Sequence, residues 1–408
     1  MSTAYIWNLT PLAIKLAEHK IWEKLVPKEV FVVRRRGGFP LYCSVMGAAG
    51  ENLALTIYAG DENYQHFLST TKDTSNLNPA ELQELLTSAN CYMVSFETRE
   101  DIDNWNAEIT KIICGRIKHK MGKDFLYPLF QKFEERKAPT QEFNTSDATI
   151  VETGLMAALE VADKLSVGMT PRGLGFRDAL PMNRPAPILH KKKEAWEWGT
   201  ITLPDEKPKV YESFTAVDDI LLTKVKDQKR LAQVDWFVEI LVSPELVRVK
   251  PRAQARFPLI QVVMECGDRL VFKPEMENFT QDYRILFNCA ILNRMLEQGI
   301  PTALYVGSDR ALACYGELAH RLNIPIEKRP APPEFSQLLK EFYPPTPDSL
   351  EENLMYQEFQ ELMEAVEDKE CITIIDDHSL MVLWKIRDSL SKKALKNMER
   401  ELRRRGLV

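Results

Sequence analysis

The stretch from Leu41 to Gly60 holds two short apolar runs on either side of Gly47-Ala-Ala-Gly50. Runs this short, rich in Val, Leu, Ile and Tyr and broken by glycines, pair as antiparallel strands. With Val30-Phe-Val-Val33 and the Gly37-Gly38 turn ahead of it, the stretch predicts a three-stranded meander. The same reading sets aside a phosphate loop. Such a loop needs a helix N-terminus after its glycines, whereas here a strand follows, and no Gly-Lys-Ser/Thr is present.

The rest of the first domain predicts helices laid on that sheet. Residues 79–88 carry Leu82, Leu85 and Leu86 on one face, and residues 92–96 read as a fourth strand. Thr98 is placed to cap a helix over 100–117 that turns Ile102, Trp105, Ile109, Ile112 and Ile113 inward. A long helix over 147–165 shows an apolar stripe of Ile150, Val151, Leu155, Ala158, Leu159 and Ala162. Residues 1–165 therefore predict an α+β domain, an antiparallel sheet with helices. Residues 166–209 are rich in Pro and Gly, include Arg184-Pro-Ala-Pro187, and read as a linker or a functional loop.

Residues 210–345 predict an α/β domain with a mixed sheet. After a helix over 217–232 come strands at 236–242, 258–264 and 270–273, with a turn at Cys266-Gly-Asp268. A helix over 281–298, a strand over 302–306, a helix over 309–322 opened by Ser308 or Asp309, a short strand at 324–326 and a helix over 333–342 follow. The order β-β-β-α-β-α-β-α is that of ribonuclease-H-like domains among others, an analogy of fold that says little about activity. Residues 346–408 form a helical tail with segregated charge. Its first half, 351–370, is acidic and its second, 392–405, basic, with a short strand expected at 371–375 between them. Two amphipathic helices of opposite charge pack against each other or against a protein partner.

Composition excludes several classes. With 45% hydrophobic and 27% charged residues the chain is an ordinary globular one, and its length of 408 residues calls for two or three domains. No apolar run approaches the roughly 20 residues that span a bilayer, which sets aside a membrane protein. The first residues lack the pattern of a signal peptide. Seven cysteines, none in a Cys-x-x-Cys pair, read as buried free thiols of a cytoplasmic protein. The six histidines show no metal-ligand spacing, so no zinc site and no cofactor are expected.

Two sets of residues are candidates for function. Arg34, Arg35 and Arg36 at the first hairpin, Lys191, Lys192 and Lys193 in the long loop, and Arg403-Arg-Arg405 at the end would hold phosphates if they shared a face, with Trp196 and Trp198 stacking on bases. Solvated charge runs are the plainer reading. On a ribonuclease-H-like sheet, acids belong on a central strand and just past the strand after the first helix. One alignment nominates Glu239 there and another Glu265, each with Asp309, to hold Mg²⁺ for phosphodiester hydrolysis. A helix cap accounts equally for Asp309, and a hairpin end for Glu265.

The order of these pieces resembles an uncharacterised bacterial family, common in Firmicutes, that joins two domains of unknown function. The residues that carry the resemblance are Tyr42-Cys-Ser-Val-Met-Gly47 with Gly50-Glu51, Tyr58-Ala-Gly60, Ser95-Phe-Glu97 and the 152–165 helix. In the second domain they are Phe257-Pro258 through Glu265 with Gly267, and residues 302–309. The family often has Asp at the position of Glu265, and an acidic, Gly-containing turn at that of Arg34-Arg-Arg36. The resemblance supplies no catalytic residue. The leading expectation is a binding or interaction protein without chemistry of its own. The alternative is a metal-dependent nucleic-acid-processing enzyme that uses Glu239, Glu265 and Asp309.

Overall fold

The computed structural model describes residues 5–35, 37–50, 52–72, 74–176, 184–192, 195–228, 231–250, 253–266, 272–343, 366, 371–375, 380, 383–384 and 391–407. The chain divides into two units, Met1–Phe342 and Tyr343–Val408.

The first unit opens with α1 (Ile6–His19), followed by β1 (Phe31–Arg34), β2 (Leu41–Met46) and β3 (Ala54–Ala59). The meander forms as the sequence predicts, with every residue of β2 except Met46 buried. Gly47 and Gly50 make its second turn with φ of 112° and 86°, values that a side chain would strain, and the Gly50 N–H donates to the Gly47 carbonyl at 2.9 Å. Next come α2 (Asp61–Thr70), α3 (Pro79–Thr87), β4 (Cys91–Glu97), α4 (Asn104–Ile117), β5 (Tyr127–Phe133) and α5 (Thr145–Ser166). Helix α5 lies directly on the sheet. A Cβ at Gly154 would come closer than 3.0 Å to Ile57, so the absence of a side chain there sets the depth of the helix.

Two expectations for this region are corrected. Residues 166–209 contain a hairpin, β6 (Pro185–Lys192) and β7 (Ala195–Thr202), which completes a seven-stranded sheet of order β5-β4-β3-β2-β1-β6-β7. Strand β6 pairs in parallel with β1, and its two prolines precede the residues paired there, Ile188 to His190, so the missing N–H groups cost that ladder nothing. In α4, Trp105 and Ile112 face outward at 61% and 53% exposure. The helix starts later than expected. Asp103 caps it by accepting from the Asn106 N–H at 2.9 Å, while Thr98 closes a separate turn onto Asp101. Asn106, Ala107, Thr110, Ile113 and Cys114 form the buried face, a narrow stripe of small and polar residues that apolar periodicity alone does not reveal.

The second half of the unit contains α6 (Asp219–Gln228), β8 (Trp236–Val242), β9 (Leu259–Glu265), β10 (Glu275–Met276), α7 (Tyr283–Gln298), β11 (Leu304–Val306), α8 (Asp309–Leu322), β12 (Ile326–Lys328) and α9 (Pro333–Phe342). The β-β-β-α-β-α-β-α order stands. The third strand lies at Glu275–Met276, and residues 267–271 of the expected turn and strand lie outside the described residues. The sheet order is β10-β9-β8-β11-β12, antiparallel from β8 outward to β10 and parallel across β8, β11 and β12. Strand β8 is buried along its whole length because both faces are covered. Trp236, Val238, Ile240 and Val242 pack with residues of α7 and α8 such as Phe287 and Leu318. On the other face Phe237 meets Phe335 of α9 edge to face, and α3 of the first sheet also packs on β8.

In the second unit, Val366, Ile372, Ile375, Leu380, Leu383, Ala394, Met398 and Leu402 form a small core with α10 (Lys392–Arg405). The strand expected at 371–375 is a 3₁₀ turn over Cys371–Ile374. Arg405 donates to the carbonyls of Thr373 at 2.9 Å and Ile375 at 2.7 Å, which turns them toward one guanidinium and away from any ladder. The acidic half of the tail lies, but for Val366, outside the described residues. No described helix is long and apolar enough to cross a membrane. Cys43, Cys91, Cys114 and Cys314 are buried free thiols, and Cys266 and Cys289 are free and half-buried.

Candidate functional site

Several buried or half-buried charged side chains of the first unit meet where α3 of the first sheet packs on β8 and the start of α8. Glu239 stands in the middle of β8. Because Val238 pairs with Val306, the chain leaving β11 passes directly alongside it. A Cβ at Gly307 would come closer than 3.0 Å to Glu239 Oε2, so a side chain at that crossing would push the carboxylate from its place. Ser308 then caps α8 by accepting from the Ala311 N–H at 3.1 Å, and its hydroxyl donates to Glu239 Oε1 at 2.5 Å. The Ile240 N–H donates to the same oxygen at 2.8 Å. Burial pushes the Glu239 carboxyl above the ordinary range. The Ser308 hydroxyl, the Ile240 and Gly307 N–H groups and the charge of Arg310 oppose that rise without cancelling it.

Arg310, on the first turn of α8, is 5% exposed. Its Nη2 donates to Glu84 Oε1 of α3 at 2.6 Å, and its guanidinium lies 5.3 Å from the centre of the Tyr211 ring. The Tyr211 hydroxyl donates to the same Glu84 oxygen at 2.8 Å, and Arg310 Nη1 is buried without a hydrogen-bond acceptor. Lys209 pairs with Glu135 at 2.8 Å and approaches Glu84 at 3.9 Å. Nearby, His66 Nδ1 lies 3.0 Å from Ser88 Oγ, and burial, helped by Lys209, pushes the imidazole down to about 4. A second clasp joins Arg136 to Glu277, whose carboxylate also accepts from the Leu259 N–H at 2.9 Å. Backbone bonds flank it, from Phe257 N to Arg136 O and from Ala138 N to Ala255 O, both 2.9 Å. These groups face one another across the boundary between the two sheets. Removing one partner of the buried Arg136–Glu277 pair costs about 3 kcal/mol, because it leaves the other charge uncompensated.

The two carboxylate alignments part here. Glu265 pairs with Trp236 at the start of β8, three residues from Glu239, or about 10 Å at roughly 3.3 Å per residue. Asp309 lies past the opposite end of β11. Glu265 and Asp309 therefore sit at opposite ends of the sheet, and the expected pairing of these two on one metal is corrected by strand register. Asp309 is exposed and pairs with Lys328 Nζ of β12 at 2.7 Å. Among the described residues no group of three or more His, Cys, Asp or Glu is placed to hold a metal ion.

The basic runs do come together. Arg34 pairs with His190, Lys191 with Trp196 and Lys192 with Ala195, so Arg34, Arg35, Lys191 and Lys192 share one end of the seven-stranded sheet. Arg36 and Lys193 lie outside the described residues. Arg405 is taken up inside the second unit by carbonyls and by Glu401 at 2.8 Å.

Sequence reading missed Arg310, Glu84, Tyr211, Arg136 and Glu277. The partners stand far apart in the chain, with 226 positions between Glu84 and Arg310, and no local pattern links them. The one local signal was Ser308-Asp309, read as a cap, with a cation just after it.

Comparison with known proteins divides the chain along the same lines. A domain of unknown function, DUF7309, matches residues 7–172, and a second, DUF6930, matches residues 221–343. The β6–β7 hairpin lies between the two matches yet belongs to the first sheet. No curated protein and no solved structure matches the chain. The chain thus carries two distinct domains of unknown function in tandem, consistent with an uncharacterised two-domain family.

Proposed function

We propose that this is a cytoplasmic binding protein whose second domain performs no chemistry. The observation that supports this reading is the state of Glu239, the acid best placed on a central strand. It is buried under α3 and α9, and Ser308, Ile240 and Gly307 already occupy its carboxylate. A carboxylate that is to hold a metal ion needs its oxygens open to the ion and to water. Here they join the N-terminus of α8 to the middle of the sheet. Exposed Lys393, Lys396, Arg400 and Arg403 on α10 give the second unit a basic face suited to an acidic protein partner.

The test is turnover. The full chain, incubated with single- and double-stranded DNA and RNA in Mg²⁺, is expected to cleave none of them above the background of Asp309→Ala. Cleavage that Asp309→Ala abolishes would overturn the reading. It would favour the metal-dependent nuclease instead, for which one observation speaks: the register brings residues 307–309 to the level of Glu239.

A further inference from the structure

We infer that the basic end of the seven-stranded sheet is a binding surface for single-stranded nucleic acid, with Arg35 and Lys191 holding phosphates and Trp196 offering a stacking face. This rests on the reading of the protein as a binder and names its ligand class.

The surface is created by the parallel pairing of β1 with β6. Two cationic runs about 150 positions apart in the sequence are brought to the same end of the sheet, because Arg34 lies opposite His190 and Arg35 and Lys191 each follow by one residue. Across the hairpin Lys191 pairs with Trp196. Adjacent strands are roughly 4.8 Å apart, so the backbone positions of Arg35, Lys191 and Trp196 span about 10 Å across the end of the sheet, with the Arg35 guanidinium reaching over Phe39 just ahead of β2. The Lys191 ammonium lies 6.0 Å from the centre of the Trp196 ring and 3.5 Å from Met156 Sγ of α5. Arg35 lies over Phe39 at 5.7 Å, and Phe39 is 47% exposed. Glu197 pairs with Lys192 at 2.9 Å and, by strand alternation, points away from the face that carries Trp196. Among the described residues, Arg34, Arg35 and Lys191 form no ion pair. They are cations held in place by a sheet, in a chain whose net charge is −6.

The layout selects among polyanions. A small anion wants donors converging on a point, and these are in line. An anionic membrane wants an apolar side chain free to enter the headgroup region, whereas Trp196 is packed against the core of the first sheet. A flexible strand of nucleotides matches cations in line with an aromatic ring, because its phosphates track the row and a base lies on the ring. The duplex form keeps its bases stacked away from such a ring.

The test uses the full chain in EDTA, with fluorescence anisotropy of a labelled oligo-dT or oligo-U about 12 nucleotides long. The expected Kd at 50 mM salt is about 10 µM or tighter, weakening steeply with added salt. Arg35→Ala/Lys191→Ala is expected to weaken binding at least about 10-fold and to flatten the salt dependence by about 1.4 in log–log slope, two phosphates at roughly 0.7 each. Trp196→Ala should weaken it about 10-fold, and Trp196→Phe, which keeps a ring and fills much of the same space, by less. Lys224→Ala/Lys226→Ala removes the same charge from exposed positions on α6 and is expected to leave binding unchanged. No binding at 200 µM protein would overturn the inference. So would equal losses in the two lysine-containing double variants, or binding to phosphatidylserine vesicles in place of the oligonucleotides. Cleavage of a bound oligonucleotide once Mg²⁺ is added would sink the non-catalytic reading and leave this one standing. Failure to bind sinks this one alone.

Discussion

Each sheet has a buried carboxylate that ties it to one of its helices, and the two are treated in opposite ways. Asp147, in the first turn of α5, is 4% exposed; Glu239, in the middle of β8, is 6% exposed. Asp147 receives a cation. Lys132 Nζ lies 3.3 Å away, the Tyr92 hydroxyl donates at 2.6 Å, and the Asn144 N–H donates at 3.0 Å, which closes a capping box. Glu239 receives only neutral donors, while the nearest guanidinium, that of Arg310, is bonded to Glu84. A buried carboxylate with a salt-bridge partner ties together the elements that carry the pair. One whose burial is offset mainly by a hydroxyl and backbone N–H groups is drawn toward its protonated form, because desolvation outweighs those donors. Asp147 thus joins β4, β5 and α5 through Tyr92, Lys132 and its cap, and Glu239 is a hydrogen-bonding wedge between strand and helix.

Substitutions at the first acid should cost the most. Asp147→Ala leaves Lys132 and Tyr92 without their acceptor and removes one half of the capping box. The expected loss is about 3 kcal/mol in urea unfolding of the full chain. Asp147→Asn keeps the shape and loses the charge, for about 2 kcal/mol. If Asp147→Asn proved harmless, the contrast between the two acids would collapse.

The crossing at Gly307 comes next. Alanine there would force its Cβ against Glu239 Oε2. The wedge is short and firmly bonded, so Gly307→Ala is expected to destabilise by about 2 kcal/mol. The cost should shrink when Glu239 is also made Ala, since the colliding group is then gone. A double-mutant cycle reads that coupling directly. Additive losses would mean that the strain lies in the backbone and that the carboxylate is a bystander.

How far this was legible in the sequence differs between the two regions for the same reason. The meander, the long α5 and the β-β-β-α-β-α-β-α order follow from local periodicity, and so they could be read. The α4 face could not, because Asn106 and Thr110 are buried there through hydrogen bonding and packing while Trp105 stays outside. The β6–β7 hairpin was hidden by its prolines, which usually argue against an inner strand and here fall ahead of the residues paired with β1. Glu239 and Asp309 were both nominated from topology, yet only strand register could separate Glu239 from Glu265. The Arg310–Glu84–Tyr211 contacts depend on two domains meeting, and nothing within one domain's sequence encodes them.

The smallest effects test the protonation side of the comparison. Glu239→Gln keeps the wedge and removes the titration, so its cost at neutral pH is expected to be about 1 kcal/mol or less. The sign with pH is distinctive. The folded-state pKa of Glu239 is raised, so its contribution is present below the unfolded pKa and is lost as pH rises through the folded one. Wild type should therefore lose stability relative to Glu239→Gln as pH rises. His66 runs the other way along the axis. Its folded pKa is lowered from 6.5 to about 4, so the unfolded chain takes up a proton first, and stability falls as pH drops from 6.5 toward 4. His66→Gln should flatten that limb without touching the Glu239 difference, since the two groups titrate through separate hydrogen bonds. Urea midpoints for wild type and both variants, taken every half unit from pH 4 to 8, resolve the two slopes. A Glu239→Gln curve parallel to wild type across the whole range would mean that the acid is ionised in the folded protein.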